Sequence, residues 1–80
     1  MGFEVKNLDG YCGTVDYGTG EEQLGILAHL DVVPEGEGWT YPPYAAEIHD
    51  GRLYGRGTMD DKGPAFAALF GLAAVKASGV

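Results

Sequence analysis

The two longest apolar segments of the chain predict one buried strand and one buried helix. Residues 24–33 are apolar apart from His29 and Asp31. This pattern is typical of a strand covered on both faces in a parallel α/β sheet, so we expect a central strand here. Because alternate strand residues point to the same face, His29 and Asp31 would lie side by side near the end of that strand.

The last part of the chain predicts a helix that begins near residues 62–64 and ends at Ser78-Gly79. Asp60 or Asp61 would provide acceptors for its free N–H groups, and Gly79 suits the position after its last turn. Residues 65–75 contain no polar side chain. A helix without a polar face is usually enclosed on all sides, and eighty residues cannot enclose it. We therefore expect partner chains, self-association through this helix, or a larger protein around it.

Two Asp-Gly dipeptides predict β-hairpins, at Asp9-Gly10 and at Asp50-Gly51. The flanking strand segments are residues 3–5 with 12–17, and residues 45–48 with 52–54. Between the central strand and the second hairpin, residues 34–43 are rich in glycine and proline and also carry Trp39 and Tyr41. We expect an ordered loop with an aromatic anchor, in which Trp39, Tyr41 and Tyr44 pack rather than contact substrate. The predicted fold class is α/β: short hairpins, a central strand and one C-terminal buried helix.

Composition narrows the classes of partner. The formal net charge is −7, and the five Lys and Arg residues are scattered, so we expect no nucleic-acid partner. The longest stretch without a polar side chain is shorter than the roughly 18 residues of a membrane span, which predicts no membrane segment. A single cysteine, Cys12, cannot form an internal disulfide and is expected to be buried apolar filler. These features favour a cytoplasmic protein.

Two motifs carry candidate chemistry: His29-Leu30-Asp31-Val32-Val33-Pro34, and Gly55-Arg56-Gly57-Thr58-Met59-Asp60-Asp61-Lys62-Gly63-Pro64. With the loop that runs from Trp39 to Pro43, they resemble the co-catalytic zinc metallopeptidases that include aminoacylase, carnosinase and bacterial dipeptidase V. The ending Asp60-Asp61-Lys62-Gly63-Pro64 favours the dipeptidase V branch, which acts on Xaa-His dipeptides. The resemblance covers nearly the whole chain.

The resemblance implies a role for three residues. His29 corresponds to a terminal zinc ligand, and Asp60 corresponds to the carboxylate that bridges two zinc ions. Asp31 corresponds to the carboxylate that hydrogen-bonds the imidazole, orients it and raises its basicity, which gives Asp31 a place in the catalytic set. In the family the peptide bond after the bridging Asp is commonly cis, so the same isomer is expected at Asp60-Asp61. Histidine and carboxylate ligands suit zinc, and also cobalt or manganese.

Other polar residues are not assigned to the site. His49 adjoins an Asp-Gly turn and is expected to be a solvated turn residue. Glu21-Glu22 resembles the glutamate pair that supplies the general base and a ligand in the family, but it precedes His29 instead of following Asp60. Arg56 and Lys62 could hold carboxylates or the loop, and neither is assigned a catalytic role.

A complete zinc site needs about three protein ligands and an open position, and this chain offers two. We therefore expect residues 1–80 to be an internal piece of a catalytic domain, truncated at both ends and inactive alone. The expected activity of the intact protein is hydrolysis of a dipeptide, or alternatively deacylation of an N-acylated amino acid. A different class also remains open at this point, namely a non-catalytic α/β interaction module or a self-associating piece.

Overall fold

Four short strands and one helix make up the regular structure in residues 2–79, which the computed structural model describes. The strands are β1 (Val5–Leu8), β2 (Cys12–Val15), β3 (Glu47–His49) and β4 (Arg52–Tyr54), and the helix is α1 (Lys62–Ala77). They form two separate two-stranded antiparallel sheets, β1-β2 and β3-β4. The content is α/β, as predicted, but no parallel sheet occurs in the described part of the chain.

Both predicted hairpins are confirmed. In the first, Leu8 pairs with Cys12, and the Tyr11 backbone N–H donates to the Leu8 carbonyl at 3.0 Å. Asp9 and Gly10 both have positive φ, at 58° and 75°. In the second hairpin, β3 and β4 are joined by Asp50-Gly51, with φ of 53° and 76°. Aspartate and glycine tolerate this left-handed conformation, which turns the chain with the twist that paired strands need.

The predicted central strand at residues 24–33 is wrong as secondary structure. The segment pairs with no strand within residues 2–79. Its apolar side chains are open to solvent, with Leu24 90% and Leu27 99% exposed, so it is also not covered on both faces. An apolar pattern indicates that the side chains of a segment are suited to pack against other apolar groups. A β-strand also requires backbone hydrogen bonds to a neighbouring strand, which the pattern does not specify. The four strands described here pair as two hairpins, and neither sheet includes this segment.

The helix is confirmed close to its predicted ends. The Ala65 backbone N–H donates to the Asp61 carbonyl at 2.9 Å, which closes the first turn. After Ala77 the chain leaves the helix through Gly79, which has φ of 82°, the conformation that commonly follows a C-terminal turn. No described residue of α1 is buried, and its two phenylalanines, Phe66 and Phe70, are 54% and 61% exposed.

Contacts divide the chain into two units, and the boundary falls within α1. The first unit contains residues up to Gly25 and those from Phe70 onward. There the Lys76 ammonium donates to the Gly2 carbonyl at 2.6 Å and lies 4.8 Å from the Phe3 ring centroid, and Phe3 meets Tyr17 edge to face. The second unit, Ile26–Leu69, contains both candidate motifs.

Apolar burial is slight in both units. Among the described residues no hydrophobic side chain is buried, and Gly57 is the one residue that is buried. Cys12 is exposed, so its predicted role as buried filler is wrong; it lies at the edge of a hairpin with no layer of structure over it. No helix within residues 2–79 has the length and apolar character needed to cross a membrane.

Candidate metal centre

His29 and Asp31 come together in the extended segment that replaces the predicted strand. The His29 Nδ1 atom lies 3.0 Å from the Asp31 backbone carbonyl and 3.2 Å from Asp31 Oδ1. Both neighbours of Nδ1 are acceptors, so this nitrogen carries a proton and donates it. In a neutral ring the other nitrogen, Nε2, is then unprotonated and has a lone pair available to a cation.

Asp60 supplies the second side of the site. Its Oδ1 lies 3.1 Å from His29 Nε2 although 31 residues separate the two in sequence. An unprotonated ring nitrogen and a carboxylate oxygen are both acceptors, so this short distance requires a positive centre between them: a proton on Nε2, or a metal ion bound by both atoms. Two ligands of a tetrahedral zinc lie roughly 3.3 Å apart, given bonds of about 2.0 Å. The observed separation of Nε2 and Oδ1 is compatible with that spacing.

Asp61 holds the backbone of the same histidine. Its Oδ2 accepts the His29 backbone N–H at 3.1 Å, so consecutive carboxylates, Asp60 and Asp61, contact the ring and the amide of one residue. The peptide bond between them is cis, as expected from the family resemblance. Asp61 was expected to cap α1 with its side chain. Instead its carbonyl accepts the first helical bond from Ala65, and its carboxylate is directed to His29.

Two glycines allow the motifs to approach each other. Gly57 has φ of 90°, and a Cβ placed there would lie 2.9 Å from Val32 Cγ1. At Gly63 a Cβ would collide with the Thr58 carbonyl oxygen, and the Gly63 N–H donates to the Gly57 carbonyl at 3.2 Å. A side chain at Gly57 would push apart the segments that carry His29 and Asp60, whereas a side chain at Gly63 would disturb the turn that leads from Thr58 into α1.

The loop at residues 34–43 is anchored through Glu35. Its backbone carbonyl accepts the Trp39 indole N–H at 2.6 Å and an Arg56 guanidinium N–H at 2.8 Å, while its carboxylate accepts the Tyr44 hydroxyl at 2.9 Å. The Arg56 guanidinium also lies 5.0 Å from the Trp39 ring centroid, a cation–π distance. The aromatic anchor is therefore confirmed, and Arg56 is the residue that ties this loop to the segment leading to Asp60.

His49 belongs to a separate aromatic cluster. Its ring stacks on Tyr41 at 3.6 Å between centroids, with Tyr54 edge-on to both, and its Nε2 lies 3.0 Å from Glu47 Oε1. The expectation of a solvated turn residue is wrong, because the turn itself is Asp50-Gly51 and His49 ends β3 facing these rings. No signal in the sequence distinguished this packing from exposure.

The partners of three ionisable groups shift their pKa values. The pKa of His29 is raised above 6.5, mainly by the hydrogen bond to the Asp31 carbonyl; desolvation, the second-largest effect, lowers the pKa, and Asp60 and the charges of Asp31 and Asp61 raise it further. The pKa of the Glu35 carboxyl is lowered by its own backbone N–H, then by Tyr44 and by the Arg56 charge. The pKa of Tyr44 is raised, chiefly because its hydroxyl donates to Glu35.

The three predicted site residues are therefore brought together, and the donor set suits a divalent cation in part. His29 offers an imidazole nitrogen and Asp60 a carboxylate, and their side chains are 50% and 86% exposed, so an ion could reach both. No group of three or more His, Cys, Asp or Glu residues within residues 2–79 is arranged to hold a metal. Sequence reasoning missed the contact of Asp61 with the His29 amide, which no periodicity or spacing indicates.

Comparison with known proteins identifies the class. Residues 25–80 match the family described as Peptidase family M20/M25/M40, and this match covers both motifs. The chain belongs to this peptidase family.

Individual relatives are similar over most of the chain. It is 53% identical over 75 residues to the provisionally named dipeptidase YtjP of Bacillus subtilis (strain 168), covering 94% of this chain and 16% of that protein. It is 49% identical over 79 residues to the Beta-Ala-Xaa dipeptidase of Lactobacillus delbrueckii subsp. lactis, covering 98% and 17%. A provisionally named dipeptidase of Staphylococcus epidermidis is 45% identical over 69 residues, covering 86% and 15%. The chain thus spans about a sixth of the length of these relatives. No solved structure matches it.

Proposed function

We propose that this chain forms one wall of the active site of a metal-dependent dipeptidase. Its membership of a peptidase family and its similarity to relatives named dipeptidases support this activity for the whole protein. The proposed substrate is a dipeptide with a free amino group, and the proposed reaction is hydrolysis of its single amide bond. The alternative of a non-catalytic interaction module is disfavoured by the family membership.

In this proposal His29 Nε2 and the Asp60 carboxylate are metal ligands. Asp60 has two carboxylate oxygens that would each be available to a metal, and we propose that the whole protein holds a pair of zinc ions, with cobalt or manganese as substitutes. Asp31 is the orienting residue: by accepting a hydrogen bond from Nδ1–H it fixes the tautomer that leaves Nε2 free to bind. His29 and Asp60 would hold the metal, which when bound would supply Lewis-acid chemistry toward the amide carbonyl and water.

The chain's own residues then have defined tasks. His29 and Asp60 would hold the metal at a position that solvent can reach, and Asp31 would keep the imidazole from rotating away. The glutamate that would serve as general base, and the remaining ligands, are proposed to lie in the part of the whole protein that this chain does not include. The observation that carries the proposal is the 3.1 Å approach of His29 Nε2 to Asp60 Oδ1 across 31 residues of sequence.

The test uses the whole protein with zinc removed and then restored, and compares two substrates. A β-alanyl or α-aminoacyl dipeptide should be cleaved only with metal, whereas the matching N-acetyl amino acid should be a poor substrate. Preferential cleavage of the N-acetyl compound would show that the protein is a deacylase and not a dipeptidase.

A substitution tests the metal ligand. Asp60→Asn should lower kcat/KM by at least about 100-fold, because loss of a metal ligand costs several kcal/mol of transition-state stabilisation. Unchanged activity and metal response in Asp60→Asn would contradict the proposal.

A further inference from the structure

The carboxylate of Asp61 contacts the backbone of His29, and this contact is neither a helix cap nor a metal-ligand bond. Its Oδ2 lies 3.1 Å from the His29 backbone nitrogen, a contact across 32 residues of sequence. Next to it, Asp60 Oδ1 meets the imidazole of the same histidine. The two side chains therefore contact His29 at its two ends, one at the main chain and one at the ring.

The start of α1 fixes the position of Asp61. The Asp61 carbonyl accepts the Ala65 N–H at 2.9 Å, so the main chain of Asp61 belongs to the first turn. Asp61 is half-buried, whereas the side chains of Asp31 and Asp60 are 92% and 86% exposed. A partly buried acceptor attached to a regular helix is better placed to fix a main-chain position than an exposed acceptor on a loop.

The contact compensates for what the extended segment lacks. Residues 24–33 have no strand neighbour in the described part of the chain, so the position of His29 is not set by a sheet ladder. The Asp61 side-chain oxygen supplies the acceptor that a neighbouring strand would otherwise supply to the His29 N–H. Through this hydrogen bond, the start of α1 holds the main chain of His29 in the position from which its ring reaches Asp60.

We propose that Asp61 is a positioning residue, whose carboxylate oxygen fixes the His29 amide and thereby sets the imidazole against Asp60. This inference rests on the proposed function, in which His29 and Asp60 share a metal site. The role requires an acceptor at this position rather than a negative charge. The substitution Asp61→Asn would keep an oxygen at the same distance, whereas Asp61→Ala would leave the His29 N–H without an acceptor.

The experiment measures affinity for Zn²⁺ alone, and for Co²⁺ alone with its visible spectrum, in the whole protein. The variants are Asp61→Asn, Asp61→Ala, and Glu37→Gln as a matched charge control. Glu37 is exposed and outside the site. Loss of residues that orient a ligand typically lowers metal affinity about 10–100-fold. We expect Asp61→Ala to fall in that range with an altered Co²⁺ spectrum, and Asp61→Asn and Glu37→Gln to stay within about threefold.

Two results would overturn the inference: equal weakening by Asp61→Asn and Asp61→Ala, which would make charge the cause, or unchanged affinity in Asp61→Ala. His29→Ala distinguishes failure of this inference from failure of the proposed function, because metal binding that survives His29→Ala contradicts the metal site itself.

Amide hydrogen exchange gives a second readout, which does not require the alanine variant to fold. The His29 N–H should be protected in the unmodified protein and in Asp61→Asn, and rapid exchange in the unmodified protein would contradict the proposed contact.

Discussion

At the scale of single residues, the site depends on how three carboxylates divide the surroundings of one histidine. Asp31 accepts a hydrogen bond from Nδ1, Asp60 faces Nε2, and Asp61 accepts a hydrogen bond from the backbone N–H. The family resemblance predicts roles for His29, Asp31 and Asp60, and the structure brings these three residues together. The role of Asp61 does not follow from sequence, because an acid before a helix is equally suited to capping it.

Replacing Asp31 tests the orienting role. Residues that orient a metal-binding histidine usually contribute about 10–100-fold to affinity, but here the Asp31 carbonyl also accepts from Nδ1 and survives the substitution. We therefore expect Asp31→Ala to weaken Zn²⁺ binding by about 10-fold, at the lower end of that range. Isothermal titration calorimetry of the whole protein measures it, with Asp16→Ala as a control outside the site. A loss as large as that of His29→Ala would mean that Asp31 is itself a ligand.

At the scale of elements, local patterns predicted local structure. The two Asp-Gly hairpins and α1 were predictable because turn chemistry and helix signals act over a few residues. The central strand at residues 24–33 was not, because its identity depends on backbone partners distant in sequence. The hydrophobic pattern also did not predict that the two motifs lie together, because this depends on the close approach of Gly57 to Val32, residues distant in sequence.

Gly57→Ala tests this approach. The residue has φ of 90° and would place a methyl group 2.9 Å from Val32 Cγ1, so both backbone strain and a clash oppose it. Gly10→Ala is the matched control, with φ of 75° and nothing within 4 Å. In urea unfolding of the whole protein we expect roughly 1 kcal/mol of destabilisation for Gly10→Ala and more, up to about 3 kcal/mol, for Gly57→Ala. Only Gly57→Ala should weaken Zn²⁺ binding, and equal effects on binding would exclude the close approach as the cause.

The loop anchor predicts a pH dependence with two limits. The pKa of Glu35 is lowered in the folded state, so its contribution to loop stability is present above pH 4.5 and is lost as the pH falls through the lowered value. The pKa of Tyr44 is raised, so its contribution is complete below pH 10.0 and is lost as the pH rises through the raised value.

The indole N–H signal of Trp39 in NMR spectra reports on this anchor, because that group donates to Glu35. We expect the signal to be unchanged between about pH 5 and about pH 9 and to change only outside the range from 4.5 to 10.0. Tyr44→Phe should abolish the alkaline change and move the acid change toward pH 4.5. An acid midpoint above 4.5 in the unmodified protein would contradict the anchor.

At the scale of the whole molecule, the chain exposes what a larger protein would bury. Its described residues contain no buried hydrophobic side chain, and the exposed set includes Leu24, Leu27, Phe66 and Phe70. The chain spans about a sixth of the length of its relatives, which is consistent with the sequence-based expectation of a piece of a larger domain. A cytoplasmic location remains a prediction.

The chain alone should therefore self-associate. Apolar surface of this extent is normally covered, and burial of one phenylalanine contributes about 1.5–3 kcal/mol. We expect sedimentation velocity to show dimers or larger species, and thermal scans to show no cooperative unfolding. The double variant Phe66→Ser with Phe70→Ser should shift the distribution toward monomer. A monodisperse monomer that unfolds cooperatively would contradict this prediction, because the chain would then be stable with its apolar side chains exposed to solvent.

The central claim is that His29 and Asp60 bind a common metal centre, and anomalous diffraction from crystals of the whole protein at the zinc absorption edge tests it most directly. We predict an anomalous peak about 2.0–2.2 Å from His29 Nε2 and from an Asp60 carboxylate oxygen, with Asp31 against Nδ1. A zinc peak whose ligands exclude both residues, with His29 and Asp60 still bonded to each other, would contradict the account.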